Sequence, residues 1–521
     1  LGAVSLTLLP WYSLEAGFFD LSWLGGLWHD EAAAPALWQT VVWHRPWLAV
    51  VIGLLALAAL CGLIKNRAWR SALLSGVSAI GVLFMIAEGH AIGYSGWSWA
   101  WLESVMGTLE QGQPAFGAGA LLMLTTFLLL FAFALAERGV LRGDAFVVAA
   151  IVLLVALVSA FVLYPVLSLF VVSVQDVDGS FRPDGLLANM GDPSIWSLSC
   201  LAGGTCGTAW RTLMLALMTA TGSTLLGLAF ALAATRTALP FKKALRLLTI
   251  LPIITPPFVI GLALILLFGR SGVVTSYLAT LFGIEPGRWL YGMTGIWIAQ
   301  VLSFTPVAFL VLIGVVEGIS PSLEEASQTL RANRWRTFTR VSLPLMAPGL
   351  ANAFLIGFIE SMADFGNPMV LGGSHGVLST EIFFSVVGAQ NDPSRAAVLA
   401  MILLCFTLCA FIIQRLWLSG KNFATVTGKG DGGTHSVLPR PMRVGIYGLV
   451  IPWGAFTLVV YGMIMVGGFV QSWGLDNSLT LEHYIHAFRI TLQEGHLVWS
   501  GVAWNSFWTT IEIALIAAPL T

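Results

Sequence analysis

The sequence has 521 residues, of which 57% are hydrophobic and only 10% are charged, and its net charge is −1. A mean hydropathy of +0.86 exceeds what a water-soluble protein can bury in its cores, so composition excludes an ordinary soluble enzyme or binding protein. Continuous apolar runs of about twenty residues have the length that a helix needs to cross a bilayer. We therefore predict an all-α polytopic membrane protein whose surroundings are the lipid bilayer, and no nucleic-acid partner.

Membrane spans are predicted wherever these apolar runs recur along the chain. The chain begins at Leu1 inside such a run, so we expect its natural start to be missing, and no cleavable signal peptide is recognisable. The predicted spans are 1–10, 47–64, 71–87, 117–136, 145–170, 209–234, 247–269, 291–316, 344–360, 398–418, 444–470 and 501–521.

The distribution of basic residues predicts the orientation of these spans. When the loops alternate between the two sides, 18 of the 25 Lys and Arg residues fall on one side. Loops rich in Lys and Arg remain in the cytoplasm, which assigns this side and places the loop 317–343 there. We expect a multi-pass protein of the bacterial inner (plasma) membrane.

An internal repeat predicts two transmembrane modules. The sequence GTAWRTL from Gly207 is echoed by GVAWNSF from Gly501, and each copy follows a long apolar segment and a polar outer segment. The polar, glycine-rich stretch between the modules has the composition of a flexible linker.

The predicted organisation has four parts. Residues 1–140 form an N-terminal transmembrane extension whose role is unknown and whose start is missing. Residues 141–418 form the first module, 419–443 the cytoplasmic linker, and 444–521 the start of a second module that we expect to continue beyond Thr521.

The predicted cytoplasmic loop reads SPSLEEASQTLRANRWRTFTRVSLP from Ser320. Ser320 or Ser322 can cap a short helix, and the first turn then holds Glu324 and Glu325, at the end where acidic residues are favoured. The segment reads equally as an amphipathic helix that offers a charged face to a partner or as a solvated loop that only connects two spans.

This loop resembles the EAA motif of permeases from binding-protein-dependent ABC importers. The spacing of the motif is kept by Glu325, Ala326, Leu343 and Pro344, with Ser in the third position of the motif, while Arg331 stands where the family has the glycine that lets the loop turn. The resemblance predicts an ATPase-coupling loop at 320–344 and the transmembrane-domain fold of type I importers, with extra N-terminal helices.

The resemblance also implies partners. The coupling loop would dock on an ABC ATP-binding subunit, expected in two copies, with Glu325 as the main polar contact, while a periplasmic substrate-binding protein would deliver the cargo for transport by alternating access. The chain contains no GxxxxGK[ST] phosphate loop. We therefore expect no catalytic residue and no cofactor in this chain, and ATP-Mg on the partner subunit.

The cargo is suggested by a second resemblance. The stretch from Phe358, which contains ADFGNP, TEIFF and VGAQNDPSRAA, resembles the fused two-module permeases for ferric iron. The same machinery could carry an organophosphate, such as a sugar phosphate or a phosphonate. An ion-driven secondary transporter is the alternative from a different class, and its mark would be paired broken helices with buried ionisable groups.

Four polar residues are predicted to line the substrate pathway: Glu360, Asp364, Asn367 and Glu381. Glu360 and Asp364 are spaced one helical turn apart at the outer end of a span, where buried charge is costly and usually functional. Alternatively, they lie among lipid headgroups and cap the helix. The scattered carboxylates do not form a recognisable metal site, and none is predicted.

Two cysteines, Cys200 and Cys206, lie in the outer segment 171–208, which would face an oxidising periplasm. A disulfide that closes this small loop and two free thiols are both compatible with the sequence.

Overall fold

A computed structural model describes most of the chain. The described residues are all except 15–17, 19–20, 94–95, 108–114, 176–179, 390, 420–436, 474–475, 494–495 and 521.

The chain divides into two compact units, Leu1–Ser168 and Leu169–Thr521. This division falls inside the helical segment Ala145–Val172, whereas the sequence-based boundary lies at residue 140. Most of the predicted linker, 419–443, lies outside the described residues. The four-part organisation therefore stays a prediction.

Within its described residues, the first unit has helical elements and one short hairpin. They are α1 (Gly2–Leu8), α2 (Trp23–Gly26), α3 (Ala36–Val41), α4 (Leu48–Cys61), α5 (Arg67–Ala91), β1 (Ile92–Gly93), β2 (Gly96–Trp97), α6 (Ala100–Met106), α7 (Ala118–Glu137), α8 (Ala145–Val158) and α9 (Tyr164–Val172), the last of which crosses into the second unit.

The second unit contains the remaining helices and two further antiparallel hairpins. They are α10 (Pro183–Met190), α11 (Pro193–Trp196), α12 (Thr208–Arg236), α13 (Lys242–Ile250), α14 (Pro257–Phe268), α15 (Val273–Phe282), α16 (Met293–Glu317), α17 (Pro321–Thr329), α18 (Arg334–Thr337), α19 (Leu343–Ala363), α20 (Gly366–Leu371), α21 (Leu378–Val387), α22 (Pro393–Ser419), α23 (Arg440–Gly467), β3 (Val470–Ser472), β4 (Asp476–Leu479), α24 (Glu482–Ala487), β5 (Ile490–Gln493), β6 (His496–Trp499) and α25 (Ala503–Leu520).

Nine helical segments within the described residues are long and apolar enough to cross a membrane. They are Arg67–Ala91, Ala118–Glu137, Ala145–Val172, Thr208–Arg236, Pro257–Phe282, Met293–Glu317, Arg334–Ala363, Pro393–Ser419 and Arg440–Gly467. The prediction of a multi-pass helical membrane protein is thereby confirmed.

Two predicted spans differ from the structure, apart from the cut span 1–10, of which Gly2–Leu8 is helical. The predicted span 47–64 forms only the 14-residue α4, which extends about 21 Å and is shorter than the hydrocarbon core of about 30 Å. The predicted span 247–269 is broken between α13 and α14, where Pro252, Pro256 and Pro257 interrupt the chain. Prolines cannot donate the backbone hydrogen bond that a continuous helix needs, so the chain leaves the helical path there.

Two other prolines are accommodated without a break. Pro165 and Pro344 lie just after π-helical turns, Ser159–Leu163 and Phe338–Ser342, inside otherwise continuous helical segments. A proline ring clashes with the carbonyl four residues earlier, and a wider turn at that position relieves the clash. Pro344 was predicted to mark the entry to a span, but the helical path already begins at Arg334.

The core of the first unit surrounds a buried carboxylate that the sequence analysis did not single out. Glu88 on α5 accepts hydrogen bonds from the Trp11 indole nitrogen (3.2 Å) and the Tyr12 hydroxyl (3.1 Å). The same hydroxyl accepts from the Trp47 indole (3.2 Å), and the Arg45 guanidinium lies 5.0 Å from the centre of the Tyr12 ring. These contacts attach the loops after α1 and α3 to the C-terminal end of α5.

The core of the second unit is built around α12, which packs against α16 and α19. Small residues let these helices approach closely: a side chain at Gly227 would lie 2.8 Å from the Ala308 Cβ atom. Helix α23, which begins the predicted second module, packs against α12, α13 and α14 of the predicted first module. The two predicted modules therefore share one core.

Candidate functional site

The predicted coupling loop folds into two short helices, α17 and α18, that lead into α19. Helix α17 begins after Ser320, whose side chain makes no capping hydrogen bond to the helix; its hydroxyl instead lies 2.7 Å from that of Ser322. Ser320 is therefore the N-terminal cap residue by position, but the predicted capping hydrogen bond from its side chain is wrong. The Ser327 and Thr337 hydroxyls lie 3.1 Å apart and join the two helices.

Arg331 makes the turn between these helices. Its φ is 63°, in the left-handed region that favours glycine. The Arg331 N–H donates to the Gln328 carbonyl (2.9 Å) and the Ala332 N–H to the Ser327 carbonyl (3.1 Å), the pattern of a Schellman helix end. The turn that the family makes with glycine is thus kept here with arginine, at a conformational cost.

Glu324 does not face solvent, although it lies in a surface helix. Its side chain is 1% exposed and pairs with the equally buried guanidinium of Arg236, at the end of α12. The Ser342 hydroxyl donates to the same carboxylate oxygen (2.6 Å), and Arg236 also donates to the Val316 carbonyl (3.4 Å). Glu324 therefore attaches the loop to the ends of α12, α16 and α19.

The solvent-exposed face of the loop differs in composition from its buried face. Glu325 and Ala326 are exposed beside the buried Glu324. Leu330 is 84% exposed and Trp335 54% exposed, and Arg331 lies exposed between them. Exposed apolar side chains with neighbouring charges are typical of a surface that binds another protein.

A second polar cluster lies inside the helix bundle, around Asp364. Its carboxylate accepts hydrogen bonds from the Gln300 side-chain amide (2.9 Å) and the Asn367 side-chain amide (2.9 Å), and from the Asn367 backbone (3.3 Å). The Gln300 carbonyl oxygen accepts from the Thr219 and Ser361 hydroxyls at 2.8 Å and 2.6 Å. This cluster joins α12, α16, the end of α19 and α20.

The contacts of Asp364 come from neutral groups. Asp364 is 7% exposed and Asn367 is fully buried, and among the described residues no cationic side chain contacts the carboxylate. A buried carboxylate without a counter-ion depends on its hydrogen-bond donors, which makes the surrounding geometry strict. Gln300 was missed because its role depends on a contact 64 residues along the chain.

The four predicted pathway residues are not brought together. Glu360 is exposed on α19, whereas Asp364 lies beyond the end of that helix and is buried. The prediction that the two carboxylates share a helical face is therefore wrong, because the chain leaves the helix at Asp364. Glu381 is half-buried on α21, close enough to Arg211 for their charges to interact. Only Asp364 and Asn367 meet.

An apolar groove of about 760 Å³ lies between α12, α19 and α22. Its polar lining is limited to side chains such as Thr221, Thr224 and Gln414, and none of the four predicted pathway residues lines it. The groove therefore offers apolar contacts rather than ligands for a charged cargo.

The outer segment is closed on itself. The structure joins Cys200 and Cys206 in a disulfide, with their Cα atoms 4.7 Å apart. Nearby, Asp192 forms an ion pair with Arg395 (3.2 Å). Burial by itself raises the pKa of Asp192, but hydrogen bonds from Ser194 and the charge of Arg395 outweigh it and hold that pKa below its ordinary value.

Comparisons with known proteins give these features a family context. Residues 223–417, which include the loop 320–344, Gln300 and Asp364, match the family described as the inner membrane component of binding-protein-dependent transport systems. The molybdenum transport permease ModB of Haemophilus influenzae is 32% identical over 191 residues, which cover 78% of that protein. This chain belongs to that family. The predicted fold class of the permeases is thereby confirmed, as is the multi-pass location in the bacterial inner membrane.

A longer part of the chain is similar to permeases of ferric transport than to the molybdenum permease. It is 40% identical over 405 residues to ferric transport system permease proteins FbpB of Haemophilus influenzae and of Actinobacillus pleuropneumoniae, over 78% of the chain. The chain spans about three fifths of the length of these relatives, 61% and 56%. A solved bacterial alginate ABC transporter in complex with a periplasmic protein matches 55% of the chain and 96% of the solved chain with 16% identity and a TM-score of 0.43.

Proposed function

We propose that this permease belongs to an ABC importer that moves ferric iron delivered by a periplasmic substrate-binding protein. The observation that carries the proposal is the 40% identity to ferric transport system permeases over 405 residues. The molybdenum permease matches a shorter stretch with 32% identity. Ferric iron is therefore favoured over an oxyanion or an organophosphate as the cargo.

The energy for transport would come from a separate polypeptide. The sequence contains no phosphate-binding loop, and the exposed face of the loop 320–344 supports docking of an ATP-binding subunit there. Two predicted modules, each with one such loop, would engage two copies of that subunit, which would hold ATP-Mg. In this arrangement the permease chain itself performs no catalysis.

The buried ion pair supplies a route for the motion. Because Arg236 ends α12 and Glu324 lies in the docking helix, a displacement of the loop by the ATP-binding subunit would also displace α12. Helix α12 also carries Thr219, which is bonded to Gln300 in the Asp364 cluster. Closure of the ATP-binding subunits would thereby reach the interior of the bundle and drive alternating access.

The cargo is tested with the assembled transporter in nanodiscs, with its ATP-binding subunit and its binding protein. ATP hydrolysis is measured with the binding protein presented with ferric ion, molybdate or a hexose phosphate. Of the three cargoes, only ferric ion presented by the binding protein is expected to stimulate ATP hydrolysis. Stimulation by molybdate or hexose phosphate instead would replace the proposed cargo, and an ATP-binding subunit that never associates would refute the importer itself.

The docking surface is tested with Glu325→Ala. Because Glu325 is exposed, the free energy of unfolding should change by no more than about 0.5 kcal/mol. Stimulated ATP hydrolysis should fall by about fivefold or more, the range of ordinary coupling energies. Glu103→Ala, which removes an exposed carboxylate in the first unit, is the matched control and should leave stimulation unchanged. Equal stimulation in the two variants would show that Glu325 is not a docking contact.

A further inference from the structure

The residues just before α23 are buried against the coupling loop. We use the name linker end for Val437, Leu438 and Pro439, which follow the undescribed part of the predicted linker. Leu438 is only 2% exposed, whereas Val437 is 43% exposed. Leu438 belongs to the same apolar core as Phe338, at the end of the coupling loop, and Phe230 on α12.

The linker end also lies next to the ion pair that holds the loop. Val437, Leu438 and Pro439 line the same small cleft as Arg236 and Glu324; Arg334, Thr337, Phe338 and Ser342 complete the lining. Apolar side chains that exclude water strengthen an ion pair, because the local dielectric constant falls. The linker end is thus part of the packing that fixes the coupling loop.

The linker end is directly continuous with α23. Pro439 is the N-terminal cap residue of this helix, and the Arg443 N–H donates to the Pro439 carbonyl (3.0 Å). The proline ring restricts φ, and a second proline, Pro441, lies in the first turn of the helix. Leu438 is therefore separated from α23 by a single conformationally restricted residue.

We propose that the linker end is a positioning element that makes the coupling loop of the first module and the first helix of the second module move as one body. Leu438 fills the space behind the loop, and Pro439 transmits the position of Leu438 to α23. The inference rests on the proposed function, since it assigns this contact to the transmission of ATP-driven motion. Through this contact, a displacement of the coupling loop would move α23 as well as α12.

The common motion is tested by distance measurement. Spin labels are placed at Thr329→Cys and Val444→Cys, both exposed, after Cys61, Cys405 and Cys409 are replaced by Ser. The distance between the labels is measured by pulsed electron paramagnetic resonance in the assembled transporter, without nucleotide and in the vanadate-trapped state. The same distance distribution is expected in both states. A distribution that shifts between the states would overturn the proposal.

The role of Leu438 is tested with variants in the same assembly. Leu438→Ala should broaden the label distance and reduce ATPase stimulation by the loaded binding protein about fivefold or more, while basal hydrolysis continues. Leu449→Ala, at a 43% exposed leucine of α23 outside the linker end, is the matched control and should change neither quantity. Leu438→Met, which nearly conserves volume, should restore both, so that a general folding defect can be recognised. Full stimulation and a narrow distance distribution in Leu438→Ala would refute the assignment.

The two proposals fail in different ways. If the unmodified transporter shows no stimulation or does not bind its ATP-binding subunit, the proposed function is wrong and this inference falls with it. If the labelled transporter is stimulated by its loaded binding protein but the distance between its two labels changes, only the common motion is wrong.

Discussion

Two buried carboxylates of the permease are stabilised in opposite ways. Glu324 lies against a guanidinium, Arg236, and a hydroxyl, Ser342, whereas Asp364 is held by neutral amides of Gln300 and Asn367. In an ion pair, the opposite charge of a single partner compensates the buried carboxylate through a strong, charge-assisted hydrogen bond. A ring of neutral donors compensates it only while several side chains from different helices keep their places. The first arrangement suits a rigid attachment, and the second suits a position that responds to helix movement.

The largest effect is expected from removal of the cation. Arg236→Met leaves the Glu324 carboxylate buried without its charged partner, which should lower the free energy of unfolding by roughly 3–5 kcal/mol. Thermal unfolding in detergent would measure the loss. The double variant Arg236→Met with Glu324→Gln removes both charges and should recover much of it. A double variant as unstable as the single one would mean that the ion pair is not the main source of the effect.

A smaller loss is expected at the neutral cluster. Asp364→Ala leaves the Asn367 side-chain amide without its acceptor, at a cost of about 1–3 kcal/mol, whereas the Gln300 amide keeps its bond to the Ser361 carbonyl (3.3 Å). Asp364→Asn keeps the shape of the side chain but places an amide N–H donor next to the donor amides of Gln300 and Asn367. Its loss of unfolding free energy should therefore lie between zero and that of the alanine variant. Glu360→Gln, on the exposed face of α19, is the control. If Asp364→Asn were as stable as wild type, the carboxylate charge would not be needed.

The smallest change is expected in the turn of the predicted coupling loop, at Arg331. Arg331→Gly should stabilise the protein by roughly 1 kcal/mol, because glycine adopts the left-handed conformation without the clash that arginine has there. The same substitution at Arg336, inside α18, should destabilise by about 0.5–1 kcal/mol. Thermal unfolding of the two variants gives the comparison, and a loss of stability in Arg331→Gly would show that the arginine side chain makes a compensating contact.

Prediction from sequence worked where a local pattern carries the information. Hydropathy over about twenty residues identified most of the spans, because every backbone group inside a bilayer must be bonded within its own helix. The spacing of the loop motif located the turn at Arg331. The positive φ of Arg331 confirms that turn, in a backbone conformation that residues other than glycine rarely adopt. Prediction failed at the prolines that break the chain between α13 and α14 and at Pro344, where a π-helical turn lets the helical path continue. The span around Pro165 was predicted as continuous, and the structure confirms it.

The adjacent residues Glu324 and Glu325 show the limit of such reasoning. Both were predicted to lie in the first turn of a surface helix, and nothing in their local sequence distinguishes them. The structure buries Glu324 because Arg236, 88 residues earlier, ends its helix beneath the loop. Glu325 points away from that contact and remains exposed. The coupling role of the exposed residue stays a prediction, while the attachment role of the buried one follows from its contacts.

The sequence by itself determined that this protein crosses the membrane many times, because composition and hydropathy are readable along one chain. The resemblance of the loop 320–344 to a known motif indicated the family of importer permeases. Only the tertiary structure decided which carboxylates are buried, that Gln300 meets Asp364, and that Leu438 packs behind the docking loop. Those contacts join residues far apart in sequence, and their energies exist only once the helices have packed.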